Sequence, residues 1–288
     1  MSAEADDGTG PLEEILQQAA SLGEEGRWAE ARDLLLEQLE ENAEDPALLC
    51  WLGVASHELG AEGEAYDFFR RTLAAGPEDP FILARAGNGV AVYDDPEAEP
   101  ALRLAAVTAP DLPFARASYG AYLAREGLFS EAIAELEAAR DLAGDEAAVR
   151  AELAIAYLLA GRREEGIVEM EEALSLDSGD TWLRALHGMT LLEVGRLEEA
   201  AETLSRVAGE RPEDVELQLL SALASAAEGW EEEAWNALSR AELGAEEADA
   251  ALVQEVEETI EAGAEEAREF LLRELAPSVM RDRLLLRS

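Results

Sequence analysis

The stretch GRLEEA, residues 195–200, decides the fold because close variants of it recur along the chain. The variants share a leading glycine and a small last residue: GRWAEA at 26–31, GAEGEA at 60–65, GLFSEA at 127–132, GRREEG at 161–166 and GWEEEA at 229–234. Their leading glycines are 34, 67, 34, 34 and 34 residues apart. The interval of 67 contains one further unit, in which Asp94 takes the place of the glycine. A constant period of this length predicts a stacked array of supersecondary units.

Two further series of small residues keep the same register: Ala19, Gly53, Gly87, Gly120, Ala154, Gly188, Ala222, and Ala31, Ala65, Ala132, Gly166, Ala200, Ala234. Apolar residues at helical spacing precede each hexamer, as in WLGVASHELG at 51–60, which predicts a helix A. The hexamer glycine ends helix A in the left-handed conformation, and the acidic residues after it favour the start of a helix B. We expect the two small series to face each other where A crosses B. A leucine there would cost about 1–3 kcal/mol through overpacking.

These residues resemble the tetratricopeptide repeat (TPR), a helix–turn–helix unit of 34 residues. Repeat two carries nearly all of the family's positions: Leu52, Gly53, Gly60, Ala65, Phe69 and Pro77. Seven repeats fit residues 12–248, with starts at Leu12, Pro46, Pro80, Pro113, Ala147, Thr181 and Val215. The resemblance implies an all-α fold, an α-solenoid that winds as a right-handed superhelix. Residues 1–11 then form an acidic N-terminal tail, and residues 249–288 form capping helices and a C-terminal tail.

Repeat three departs from the pattern. Asp95 followed by Pro96 predicts an N-cap with proline at the first helical position, and Pro100 then falls near the end of the first turn. We expect a displaced start of helix B with a local bend.

The composition agrees with a helical protein of the cytoplasm. Alanine, leucine, glutamate and arginine dominate, and only 6% of the residues are aromatic. The single cysteine, Cys50, excludes an internal disulfide, and no cysteine–histidine cluster predicts a metal or any other cofactor. The N-terminal stretch MSAEADDGTG lacks the apolar run of a secretory signal, and no apolar stretch approaches the roughly 20 residues that cross a bilayer.

The charge balance excludes several kinds of partner. The chain has 65 acidic and 22 basic residues, a formal net charge of −43, and every basic residue is arginine. Nucleic acids and anionic membrane surfaces would be repelled. Two explanations stay open: a solvating surface, as in salt-adapted organisms, or complementarity to a basic partner. The even spread of glutamate through the repeats favours the solvating surface.

The resemblance implies a concave groove lined by positions 2, 5, 9, 12 and 13 of helix A. These positions hold Phe81, Asn88, Phe114, Ala117, Ala121, Ile155, Leu158, Trp182, Met189, Leu192, Leu219 and Leu223. An apolar groove predicts binding of a protein segment, either a helix or an extended peptide. The alternative is that packing between repeats hides these residues. A TPR subclass binds chaperone C-termini through lysine and asparagine. We exclude that ligand, because only Asn88 matches and the chain has no lysine.

Position 4 of helix A carries a second pattern. Arg116, Arg150 and Arg184 occupy this position in repeats four, five and six, where the family has a large apolar residue. They could form a strip that binds carboxylates of an acidic partner. Alternatively, their stems cover apolar surface while their guanidinium groups pair with local glutamates.

The C-terminal tail reverses the local charge. From Arg273 onward there are four arginines and two acidic residues, and the tail interleaves them with apolar residues: Arg281, Arg283, Leu284, Leu285, Leu286 and Arg287. This segment could dock in the chain's own groove, dock in that of a second copy, or pack locally as a last capping helix.

No catalytic motif accompanies the repeats. His57 and His187 lie in different repeats, and Cys50 reads as an apolar filler of the core. The sequence therefore predicts a non-enzymatic adaptor that binds a protein segment in its groove. Two alternatives remain: a self-associating module whose arginine- and leucine-rich tail fills a groove, and an acidic binder of a basic protein.

Overall fold

A computed structural model describes residues 11–246 and 248–283 of the chain. Every regular element in these ranges is helical, and the A and B helices alternate along the chain: α1 Pro11–Glu24, α2 Trp28–Leu36, α3 Pro46–Glu58, α4 Glu62–Ala74, α5 Pro80–Ala91, α6 Ala98–Thr108, α7 Pro113–Arg125, α8 Phe129–Leu142, α9 Ala147–Leu159, α10 Arg163–Leu176, α11 Thr181–Glu193, α12 Leu197–Glu210, α13 Val215–Ala227 and α14 Glu231–Gly244. After α14 follow α15 Ala250–Ala262, α16 Ala264–Phe270, a π-helical turn Leu271–Leu275 and α17 Ala276–Arg283. The chain forms two compact units, one ending at Tyr122 and the other beginning at Leu123.

Each hexamer glycine ends an A helix as the sequence predicts. Gly26, Gly60, Gly127, Gly161, Gly195 and Gly229 have φ between 72° and 81°. The residue after each glycine donates a backbone hydrogen bond five residues back, as Arg196 does to Leu191 at 2.8 Å. This is the hydrogen bond of the Schellman motif, which satisfies a carbonyl that the helix end would leave unpaired. A Cβ atom at these glycines would meet nothing within 4 Å, so the backbone conformation alone requires glycine.

Asp94 replaces the glycine of repeat three, and its φ of 54° confirms that assignment. Asp95 donates its N–H to the Val90 carbonyl at 3.4 Å, which reproduces the bond of the other repeats. The predicted start of the next helix was wrong, because α6 begins at Ala98 and Pro96 precedes it. The Asp95 carboxylate accepts the Glu97 N–H at 2.9 Å, and this short turn delays the helix by two residues.

Aspartates begin four of the A helices. The carboxylates of Asp45, Asp180 and Asp214 each accept the N–H three residues later, at 2.9 to 3.2 Å. Asp79 accepts the N–H of Phe81 at 2.8 Å, two residues later. These N-caps, with Pro46 and Pro80 at the next position, fix which residue begins each helix.

The small residues of helix A pack against the apolar residue at position 24 of helix B. A Cβ at Gly53 would lie 2.7 Å from the ring of Phe69, and one at Gly188 would lie 2.9 Å from Leu204. The expected contact between positions 8 and 20 is seen in repeat five, where a Cβ at Gly166 would lie 3.2 Å from the carbonyl oxygen of Ala154. The large residue at position 24 fills the space that glycine leaves.

The last helices belong to the second unit. α15 packs against α14 and α13, α16 and the π-helical turn pack against α13, and α17 reaches α9. The π turn precedes Pro277, which lacks an N–H, and the Ala276 N–H bonds the Leu271 carbonyl five residues back. Of the predicted tail residues, Arg281 is exposed and Arg283 ends α17, whereas Leu284, Leu285, Leu286 and Arg287 lie outside the described residues. Residues 1–10 of the predicted acidic tail also lie outside them.

Candidate functional site: an arginine and three aromatic rings on the A helices

Four side chains form a cluster on successive A helices of the first unit. Phe81 and Phe114 hold position 2 of α5 and α7, whereas Trp51 and Arg85 hold position 6 of α3 and α5. All four are half-buried, so each presents part of its surface to solvent. The Asp79 cap and Pro80 fix the start of α5, which sets the height at which Phe81 and Arg85 project.

The guanidinium of Arg85 lies among all three rings. Its Cζ atom is 5.1 Å from the ring centroid of Phe81, 5.3 Å from that of Phe114 and 5.5 Å from that of Trp51. The Phe81 and Phe114 rings are 4.9 Å apart, tilted by 42°. Aromatic faces carry a negative potential, so these contacts hold the cation without neutralising its charge.

Within the described part of the chain, Arg85 forms no ion pair, although desolvated charges are usually paired. Burial lowers the pKa of its guanidinium, whereas Cys50 and Glu58 oppose the shift from a longer distance, and its Nε atom is buried without a hydrogen-bond acceptor. The residues that the structure describes place no carboxylate oxygen within 4.0 Å of it. In a chain with a net charge of −43, this is an unusual position for a cation. The cluster therefore offers a positive charge and apolar surface together.

Asn88 adds a polar group one helical turn from Arg85. Its Nδ2 donates to Ser118 Oγ at 2.9 Å, which links α5 to α7, while its Oδ1 is buried and has no hydrogen-bond partner among the described residues. Ala117 and Ala121, the other predicted groove residues of α7, are both buried.

In the second unit the predicted groove residues are covered. Six of them are at most 5% exposed: Ile155, Leu158, Met189, Leu192, Leu219 and Leu223. Trp182 is half-buried. The C-terminal helices pack on this side, with α16 against α13 and α17 against α9.

Comparison with known proteins assigns the family. Two tetratricopeptide repeat models match residues 16–80 and 159–224. This chain is a TPR protein. A thermophilic TPR protein of Thermus thermophilus shares 26% sequence identity, over 62% of this chain and 98% of that chain, with a TM-score of 0.52. A search of the curated proteins gave no significant match.

More distant structures show the same fold. A TPR protein of Parabacteroides merdae ATCC 43184 has a TM-score of 0.62 at 16% identity, over 88% of this chain and 98% of that chain. The APC/C hetero-tetramer Cut9–Hcn1 has a TM-score of 0.70 at 15% identity, over 84% of this chain and 48% of that chain. The fold is thus an all-α TPR solenoid. TPR proteins as a class are protein-interaction scaffolds and are typically not enzymes.

The three arginines at position 4 of this TPR protein bind acceptors of their own chain. Nε of Arg116 donates to the Pro110 carbonyl at 2.6 Å, and Nε of Arg150 donates to the Gly144 carbonyl at 2.7 Å. Arg184 forms two bonds to Glu210, at 2.7 and 2.6 Å. In repeats four and five, the arginine at position 4 of helix A therefore hydrogen-bonds a backbone carbonyl six residues earlier, in the loop that precedes the helix. These contacts favour the second alternative, in which the arginines serve the packing of the repeats.

Cys50 and His187 are both desolvated by the fold. Burial raises the pKa of the Cys50 thiol to about 12, and burial lowers the pKa of His187. Among the described residues, no three histidine, cysteine or acidic side chains are placed to hold a metal ion. In those same ranges, no helix combines the length and apolar character that crossing a membrane requires.

Arg85 and Trp51 were not predicted from the sequence as site residues. Both lie at position 6, which was outside the groove positions taken from the family. The repeat register could have indicated them. Trp51 and Arg85 are 34 residues apart, so they occupy equivalent positions of successive repeats, one helical turn from the position that holds the phenylalanines.

Proposed function

We propose that this TPR protein is an adaptor that binds a protein segment on the A-helix face of its first unit. The observation that carries the proposal is Arg85, a half-buried cation among three aromatic rings with no carboxylate partner in the described part of the chain. A segment that brings a carboxylate to Arg85 and an apolar side chain to the ring pair would satisfy both properties of the cluster.

The first unit is the better candidate because its side chains at position 6 reach solvent. At position 6, Trp51 and Arg85 are half-buried, whereas Glu152, Leu186 and Leu220 of the second unit are buried. A ligand can reach the first pair without displacing any part of the described chain. The acidic remainder of the surface would repel a strongly acidic ligand, so we expect a segment with one carboxylate among apolar residues.

The test is a peptide-display selection against the immobilised full chain. We expect enriched peptides to carry one aspartate or glutamate within a few residues of an aromatic residue or leucine. Their affinity, measured by fluorescence polarisation, should fall about tenfold or more in Arg85→Gln, because losing one charge-assisted pair costs about 1.5–3 kcal/mol. Arg103→Gln removes an exposed arginine of α6 and is the matched control. Peptides that bind Arg85→Gln as well as the wild type would refute this site.

A further inference from the structure

Residues 264–283 extend beyond α15, the helix that caps repeat seven. α15 packs against α14 and α13, which are the two helices of repeat seven. A cap needs only to shield the face that has no following neighbour. Residues 264–283 go further: α16 and the π turn lie along α13, and α17 reaches α9, the A helix of repeat five. Capping does not account for this contact with a helix two repeats earlier.

Residues 264–283 carry the pattern of a helix bound in a groove. Their buried residues form one apolar stripe: Ala267, Leu271, Leu275, Ala276, Val279 and Met280. Most of the residues between them are exposed, including Arg268, Arg273 and Ser278, whereas Phe270, Leu272 and Pro277 are half-buried. Apolar anchors at spacings of three and four residues are how an amphipathic helix binds a protein groove. The π turn adds one residue to the helix at Leu275–Ala276, and both residues remain buried.

The helices beneath them are mostly apolar. Eight consecutive residues of α9, from Ala151 to Leu158, and ten of α13, from Leu217 to Ala226, are buried. The polar ones among them are Glu152, Gln218, Ser221 and Ser225. The segment itself carries four arginines against five acidic residues, on a chain with a net charge of −43. A nearly neutral apolar helix avoids the repulsion that a strongly acidic helix would meet on this protein.

We propose that residues 264–283 are an internal ligand, which occupies a helix-binding face formed by α9 and α13. A partner helix with the same small and apolar stripe binds this face only after it has displaced the segment. The inference concerns the second unit and does not depend on the site at Arg85.

The test uses the full chain with a site-specific protease sequence inserted after Gly263, where α15 ends and α16 begins. After cleavage, size-exclusion chromatography measures whether the C-terminal fragment stays bound. A fluorescent synthetic peptide of residues 264–288 then measures exchange by polarisation. We expect the fragment to stay bound and the peptide to replace it. We expect binding to the uncleaved chain to be at least about tenfold weaker, because the attached segment competes.

Two peptides with one added charge each make the test specific. Met280→Asp charges a position that is 1% exposed, whereas Ser278→Asp charges an exposed position of the same helix. Only Met280→Asp should fail to bind. The proposal is overturned if the C-terminal fragment does not stay bound after cleavage, if the peptide binds cleaved and uncleaved chains equally, or if both charged peptides bind alike. It is also overturned if cleavage unfolds or aggregates the protein, because the segment would then be a structural part of the last repeats.

Discussion

The ring of Phe114 packs against that of Phe81 with 4.9 Å between the centroids, although the two residues begin successive repeats. The pair joins α5 to the start of α7 and also forms one wall around the Arg85 guanidinium. The Phe114 ring therefore contributes both to packing between repeats and to the proposed binding site, so its substitution tests the cluster most directly.

Phe114→Glu should abolish binding of peptides selected against the wild-type chain. The substitution removes the apolar ring and places a carboxylate next to Arg85, where it would take the position that we assign to the ligand. Fluorescence polarisation measures the loss, and far-UV circular dichroism should show unchanged helical content because Phe114 is half-buried at the start of its helix. Val107→Glu, on the exposed face of α6, introduces the same charge and should bind normally. Unaltered binding by Phe114→Glu would remove this ring from the site.

The repeat register predicted the positions of Phe81 and Phe114, because a 34-residue period places equivalent residues on one stacking line. It also predicted the left-handed residue Asp94 in a repeat that lacks its glycine. Arg85 was missed because its importance depends on which carboxylates lie near it in space, which sequence spacing does not reveal. The sequence leaves three alternatives open for the C-terminal segment, because the period ends at residue 248 and nothing local specifies the contact of α17 with α9, more than 100 residues away.

Phe69 lies between two glycines of neighbouring A helices. A Cβ at Gly89 would lie 2.2 Å from the ring, and one at Gly53 would lie 2.7 Å from it, while Phe69 itself is only 5% exposed. Gly89→Ala should therefore destabilise the protein by about 1–3 kcal/mol, since a buried ring has no free space to move into. Urea unfolding followed by circular dichroism measures the change. Gly63→Ala, in α4 with open space around it, should be neutral or stabilise by up to about 1 kcal/mol. Equal effects of the two substitutions would contradict this packing.

Glu169 joins Arg150, at position 4 of α9, to Arg140 on α8, which is helix B of the preceding repeat. Its Oε1 accepts from Arg140 Nη1 at 2.8 Å and its Oε2 accepts from Arg150 Nη1 at 2.7 Å, and its side chain is 11% exposed. Glu169→Gln should cost about 1.5–3 kcal/mol, because two charge-assisted bonds weaken and two arginines lose their common counter-charge. Glu171→Gln removes an exposed carboxylate that pairs with Arg196 at 3.4 Å, and it should change stability by less than about 0.5 kcal/mol. Similar losses in the two variants would show that burial of Glu169 adds nothing to the pair.

His187 should make stability depend on pH below neutrality. Burial lowers the pKa of its imidazole, Arg196 lowers it further, and Glu171 and Glu199 oppose the shift. The unfolded chain therefore binds a proton near the ordinary pKa of about 6.5, while the folded chain still holds the neutral ring. The contribution of the neutral ring to the free energy of unfolding is therefore fully present above a pH of about 6.5, and it declines as the pH falls toward the pKa of the folded state. The difference in unfolding free energy between wild type and His187→Gln should thus shrink from pH 8 to pH 5, which urea unfolding at each pH measures. Titration of the imidazole C2 proton by NMR, assigned with the same variant, gives the folded pKa directly, and a value at or above 6.5 would contradict the burial of this ring.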